Sequence, residues 1–181
     1  MRQAAIIGTG LIGASVGMAL TEQGWAVHGW DPDTGAMSVG AERGAFATAA
    51  DSPAAAAAEA DLVFLAGPLH ANVETLTLLE TQALVTDTTS VKMPFNGTSR
   101  VRFIGGHPLA GREHAGPGAA SPALFRGATW VLCPNGGRES DLEYMIEVVT
   151  SIGANPVVMS AERHDQVVAT VSHLPHLLAL H

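Results

Sequence analysis

Three glycines near the start of the chain, Gly8-Thr-Gly10-Leu-Ile-Gly13, follow the apolar run Gln3–Ile7 directly. They lead into a segment in which Ile12, Val16, Ala19 and Leu20 share one helical face. Between a strand and a helix, each glycine meets a separate steric demand. Gly8 permits a tight turn, Gly10 lets the backbone approach a pyrophosphate, and Gly13 lets the helix lie close on the strand. The helix N-terminus, which opens with Leu11 and Ile12, offers its positive end to the phosphates. The next apolar run, Ala26–Trp30, stops at Asp31, 18 residues beyond Gly13. A carboxylate there accepts hydrogen bonds from an adenine ribose diol and repels a 2′-phosphate. Neither Pro32 nor Asp33 supplies the cation that a 2′-phosphate requires, so the pattern predicts NAD over NADP. FAD shares the glycine spacing but needs further contact segments, for which the chain has little room.

The glycine turn is the first beat of a rhythm that runs nearly end to end. Apolar runs at Gln3–Ile7, Ala26–Trp30, Leu62–Ala66, Ala83–Asp87, Arg102–Gly105, Thr129–Cys133 and Pro156–Met159 alternate with helix-length segments. Runs without polar alternation suit strands buried on both faces, which predicts a Rossmann-type, doubly wound, mostly parallel α/β sheet. Asp51-Ser-Pro-Ala opens a helix over Ala54–Ala60, and Glu139–Ile152 has a helical period. Pro108 to Gly127 has no period and reads as a long loop with at most a short helix. The composition agrees: 47% of residues are hydrophobic and only 14% charged, so much of the backbone is expected to be buried on two faces or against a partner. The last segment, Ala161–His181, is helical in pattern, and Pro175 is expected to kink or restart it. No stop signal follows Leu177, so residues 1–160 read as a nucleotide domain and 161–181 as the first helix of a truncated, all-helical dimerisation domain.

Charge excludes several roles. Nine basic against 17 acidic residues give a net charge of −8, without the basic footprint that nucleic acid or an anionic membrane needs. No stretch approaches a membrane span, and Cys133 stands alone, without a disulfide or a cysteine metal knuckle. The expectation is a cytoplasmic protein acting on a small molecule.

In an open α/β sheet ligands collect beyond the carboxyl ends of the strands. Three such ends carry distinctive residues: Gly67-Pro68, a tight exit beneath a bound nucleotide; Thr88-Thr-Ser90-Val-Lys92; and Gly106-His107-Pro-Leu-Ala-Gly111-Arg112-Glu113. His107, between glycine and proline, reads as an imidazole on a stiff turn with its ordinary pKa of about 6.5, suited to take a hydroxyl proton as hydride leaves the same carbon. The alternative is a turn histidine bonded to backbone. Ser90 reads as the group that orients that hydroxyl or the imidazole, or as the N-cap of a helix starting near Val91. Lys92 is either functional or solvated. His173 and His176 share a helical face and read as interface or core histidines satisfied by backbone; a zinc site is disfavoured because no third spaced ligand accompanies them.

Taken together, Gly8–Ser15, Thr86–Lys92, the stretch Phe103–Glu113 with its Gly-Gly-His-Pro core, and His164-Asp165 followed by Ala169-Thr-Val-Ser-His-Leu-Pro-His176 resemble the prephenate/arogenate dehydrogenases of tyrosine biosynthesis. The resemblance implies NAD-dependent oxidative decarboxylation of prephenate to 4-hydroxyphenylpyruvate, with His107 deprotonating the C4 hydroxyl and Ser90 as its partner. It also implies His176, and His173 one turn before it, on the substrate side, and Glu113 lining the pocket. Arg112 departs from the small residues usual there and either binds a carboxylate or faces solvent. Family members continue into a helical domain that forms a homodimer and supplies a substrate-binding arginine, so the chain by itself is expected to show low activity and a sticky Leu177–Leu180. Arogenate is the alternative substrate, although no extra carboxylate for its amino group lies between Ala115 and Leu124. A related 3-hydroxyacid dehydrogenase does not fit the Gly-Gly-His-Pro stretch. A catalytically impaired nucleotide-binding module is the non-enzymatic alternative.

Overall fold

A computed structural model describes residues 1–97, 100–111 and 116–178, the last eight as helix backbone only. Its sheet holds the strands β1 (Gln3–Ile7), β2 (Ala26–Trp30), β3 (Thr48–Ala49), β4 (Leu62–Leu65), β5 (Leu84–Asp87), β6 (Phe103–Pro108), β7 (Thr129–Cys133) and β8 (Asn155–Val158) in the order β3-β2-β1-β4-β5-β6-β7-β8. All neighbours are parallel except β6 and β7. The order reverses between β1 and β4, so the switch-point crevice lies beyond Ile7 and Leu65.

Residues alternate between the two faces of each strand, and both faces are covered. Ala4, Ile6, Phe64, Leu84, Ile104 and Trp130 pack under α1 (Leu11–Glu22) and α5 (Glu139–Ser151). Ala5, Ile7, Val63, Leu65 and Val85 pack under α3 (Pro53–Ala57) and α4 (Leu69–Leu78). This is why the strands read as unbroken apolar runs; each large side chain buried there contributes roughly 1.5–3 kcal/mol. α3 starts as its sequence indicates, with Ser52 Oγ accepting the Ala55 N–H and Pro53 in the first turn, but it ends at Ala57 rather than Ala60. No described helix is long and apolar enough to cross a membrane.

Several elements differ from the sequence expectation. α2 (Thr34–Glu42), α4 and the two-residue β3 carry too little apolar period to announce themselves. Instead of a helix from Val91, a single 3₁₀ turn spans Met93–Phe95. β6 continues through His107 to Pro108, because antiparallel β7 pairs with it as far as Trp130 and the Leu109 N–H still donates to Thr129 O at 2.8 Å. The imidazole therefore stands on a strand, not a turn. The last helix, α6 (Ala161–Leu178), does not restart at Pro175. Its first turns pack on the sheet, with Ala161 and His164 buried.

Candidate functional site

At the switch point the three glycines do separate jobs. Gly8 has φ +100°, and a Cβ there would lie 2.5 Å from the Gly67 nitrogen, so the turn after β1 rests directly on the turn after β4. A Cβ on Gly13 would come 1.9 Å from Gly8 O, which seats α1 against β1. Around Gly10 nothing lies within 4 Å of where a Cβ would be, and α1 has neither a side-chain cap nor an acidic residue in its first turn. Leu11 and Ile12 open this helix, whose free N–H groups face the open approach at Gly10. That arrangement fits a pyrophosphate.

Asp31 closes the turn from the side. Its Oδ2 accepts the Thr9 N–H at 2.7 Å and its Oδ1 the Asp33 N–H at 2.9 Å. Oδ2 also accepts the Thr9 hydroxyl at 3.4 Å, so Oδ1 is the oxygen that keeps a lone pair for a sugar hydroxyl. A cavity of about 620 Å³ runs from Gly8 and Asp31 past Gly67 and Pro68, with Trp30, Pro32, Pro53 and Leu78 as apolar walls suited to a base. Asn72, which sequence reasoning missed, pins that exit: its Oδ1 accepts the Gly67 N–H at 3.0 Å and its Nδ2 donates to Leu65 O and Gly67 O. An asparagine in the helical turn after Gly-Pro was the available signal. A larger cleft of about 790 Å³, with Arg2, Asp61, Glu80 and Arg102, lies at the opposite end of the sheet, away from the glycine turn and the uncapped helix.

Two strands further along, His107 stands at the carboxyl end of β6. Gly106 beside it must be glycine, since a Cβ would meet Asp87 O at 2.5 Å. The His107 partner is not Ser90, which is exposed and makes no hydrogen bond among the described residues, nor does Ser90 cap a helix. His107 Nδ1 instead lies 2.8 Å from Nε2 of His164, whose Nδ1 lies 2.7 Å from Asp165 Oδ1. Asp165 in turn accepts the Lys92 N–H at 2.8 Å and the Met93 N–H at 3.0 Å. A carboxylate only accepts, so His164 Nδ1 donates to it. With both rings neutral, His164 Nε2 accepts from His107 Nδ1, leaving His107 Nε2 as a lone pair. His164 and Asp165 appear in the sequence only as an adjacent pair with no assigned role; their position 57 residues from His107 hid the contact.

The electrostatics sharpen this. Burial first, then His164 and Lys92, push the His107 pKa down to about 4, with Asp165 opposing; the ordinary value expected from sequence does not hold. Lys92 is not solvated. Its side chain has no exposed surface and pairs with Asp87, and burial lowers its pKa against the pull of that carboxylate. Cys133 is pushed up to about 11 by burial, which leaves a thiol and no nucleophile. Because folded His107 releases its proton near pH 4 and an unfolded histidine near 6.5, the unfolded chain binds the extra proton between those values. Stability is therefore expected to fall as pH drops from about 6.5 to 4. Thermal melts across that window, compared with His107→Asn, check it, and the variant should show a shallower fall.

Arg112 and Glu113 lie outside the described residues, as do the side chains of His173 and His176.

Comparison with known proteins decides the family. The family model described as the prephenate dehydrogenase nucleotide-binding domain matches residues 16–158. The chain belongs to the prephenate dehydrogenase family. It is 35% identical over 187 residues to the probable prephenate dehydrogenase NovF of Streptomyces niveus, covering 98% of this chain and 50% of that protein. Among solved structures, Synechocystis arogenate dehydrogenase superposes with a TM-score of 0.88 at 31% identity, over 96% of this chain and 65% of that one. Prephenate dehydrogenase from A. aeolicus, in complex with hydroxyphenyl propionate and NAD+, gives 0.88 at 30%, over 99% and 67%. The chain spans about half the length of the curated prephenate dehydrogenases it matches.

Proposed function

We propose that the chain is the NAD-binding and proton-accepting part of a prephenate dehydrogenase, which converts prephenate to 4-hydroxyphenylpyruvate and CO₂ in the cytoplasm. The observation that carries the reading is the His107–His164–Asp165 chain at the same sheet end as the glycine turn. Asp165 fixes the His164 tautomer, His164 fixes that of His107, and His107 Nε2 is left to accept the proton of the C4 hydroxyl. A lowered pKa keeps the imidazole neutral at working pH, so it is always ready to accept. Bound NAD would supply the hydride acceptor. His107 then returns its proton to the ring oxygen as CO₂ departs and the ring becomes aromatic, so no net proton is lost to the protein. The main tasks left to the fold are positioning and polarisation.

Gly8, Gly10, Leu11, Ile12, Gly13, Asp31, Gly67 and Pro68 would hold NAD, with the ribose diol on Asp31. Residues from Ala161 onward are read as the start of a helical domain that pairs two subunits, and His173, His176, Arg112 and Glu113 as its substrate-side complement. Ser90, exposed beside the site, keeps only a substrate-orienting role. Arogenate is the second reading, supported by the close fit to Synechocystis arogenate dehydrogenase.

The test is NADH formation from prephenate and from arogenate with the whole gene product, alongside tryptophan-fluorescence titrations of the chain with NAD and NADP. Prephenate turnover and a preference for NAD of about tenfold or more are expected. Turnover of arogenate alone would replace the substrate, and tighter binding of NADP would remove the role given to Asp31.

A further inference from the structure

The polar groups around His107 close into a ring. The Gly106 N–H, one residue before His107, donates to Asp87 Oδ1 at 3.0 Å. Asp87 Oδ2 receives the Thr89 N–H at 3.0 Å, the Thr89 hydroxyl and the Lys92 ammonium. The main-chain N–H of the same Lys92 donates to Asp165, which holds His164 against His107. Lys92 is thus used twice, by its ammonium towards the strand that carries His107 and by its N–H towards the helix that carries His164.

The ring sits where ordinary pairing stops. The β5–β6 register pairs Val85 with Phe103 and Thr86 with Ile104 and goes no further, whereas β4–β5 pairing continues to Asp87. Beyond Ile104 the Asp87 carboxylate stands in for the missing main-chain acceptor. A buried ammonium–carboxylate pair is a poor stabiliser compared with apolar groups of the same volume, so its presence here calls for a role other than stability. Both side chains here have no exposed surface, and the Lys92 stem fills the space beside Gly105.

We infer that Lys92 is a positioning residue for His107: through Asp87 it fixes strand β6 where the ladder ends, and through Asp165 it fixes the delivery of His164. The inference rests on His107 being the proton acceptor.

Asp87→Asn/Lys92→Met removes both charges at similar volume and keeps an acceptor for Gly106, so the fold should survive. NAD affinity is expected within about twofold of wild type, while kcat falls about 10- to 100-fold, the scale of a small misplacement of a reacting group. In the chain with ¹⁵N-labelled histidine, wild-type His107 should read as protonated at Nδ1 alone, and the double variant as a mixture of tautomers. Wild-type kcat in the double variant, or a fall in kcat with the His107 signal unchanged, overturns the inference. Should the double variant not fold, amide exchange in the wild-type chain decides: Gly106, Lys92 and Met93 should open at a common rate, and independent rates overturn it. The histidine signals and exchange rates need no turnover, so a wild-type protein inactive on prephenate would sink the proposed function while these readouts still judge Lys92.

Discussion

His107→Asn is expected to lower prephenate turnover by about 10²- to 10⁴-fold, the usual contribution of a positioned general base, with little change in NAD affinity. Asparagine keeps a donor for His164 Nε2, so the 2.8 Å contact that ties β6 to α6 can be remade. What is lost is the second ring nitrogen, which no amide replaces. The loss should therefore appear in kcat and should not be relieved by raising NAD. Steady-state kinetics on the whole gene product, with a tryptophan-fluorescence titration of NAD as the binding control, measure both. Turnover within a few-fold of wild type would mean that another group takes the proton.

Gly13→Ala is expected to abolish measurable dinucleotide binding and to destabilise the fold by about 3 kcal/mol or more, at the upper end of overpacking penalties. The added Cβ would sit 1.9 Å from Gly8 O and 3.0 Å from Ala66 Cβ. The first obstacle is backbone, so only a displacement of α1 from β1 relieves the clash, and that displacement opens the turn which receives the phosphates. Gly10→Ala is the matched contrast. Its Cβ meets no atom of the described residues within 4 Å and its φ of −69° suits alanine, so stability should change by less than about 1 kcal/mol while NAD affinity falls. Equal destabilisation by both substitutions would remove the distinction between a packing glycine and a ligand-facing one.

How far the sequence could be read follows from where each signal is stored. β1 and β7 have the limits their apolar runs indicate, because strands buried on both faces need apolar residues at almost every position; β2, buried only at alternate residues, also has the limits expected of it. The roles of Gly8 and Gly13 were legible for the same local reason: strand, turn and helix are contiguous. α2 and α4 were not, since each buries few residues and shows little pattern. The surroundings of His107 were harder still. Its partner comes from α6, and its pKa is lowered first by burial, then by His164, and only after these by a lysine paired with a carboxylate five residues earlier. Ser90 was the nearer candidate by sequence, yet it makes no hydrogen bond among the described residues, while Thr89, one position back, is drawn into the Asp87 cluster. Local spacing names the residues of a motif; only the crossing of strands says which of them meet.

The reversed strand has a consequence for how such a protein can change. β6 arrives at the end of the sheet that carries His107, and antiparallel β7 departs from that same end, so the connection between them starts and finishes on one side. Its approach to β7 is fastened by the Ser121 N–H on Ser15 Oγ at 3.0 Å and by Arg43 Nη2 on Ala120 O at 2.7 Å. Here the segment can lengthen, shorten or exchange residues between two fixed ends with every strand in place. Sequence change in that connection therefore leaves the strand order and the glycine turn untouched.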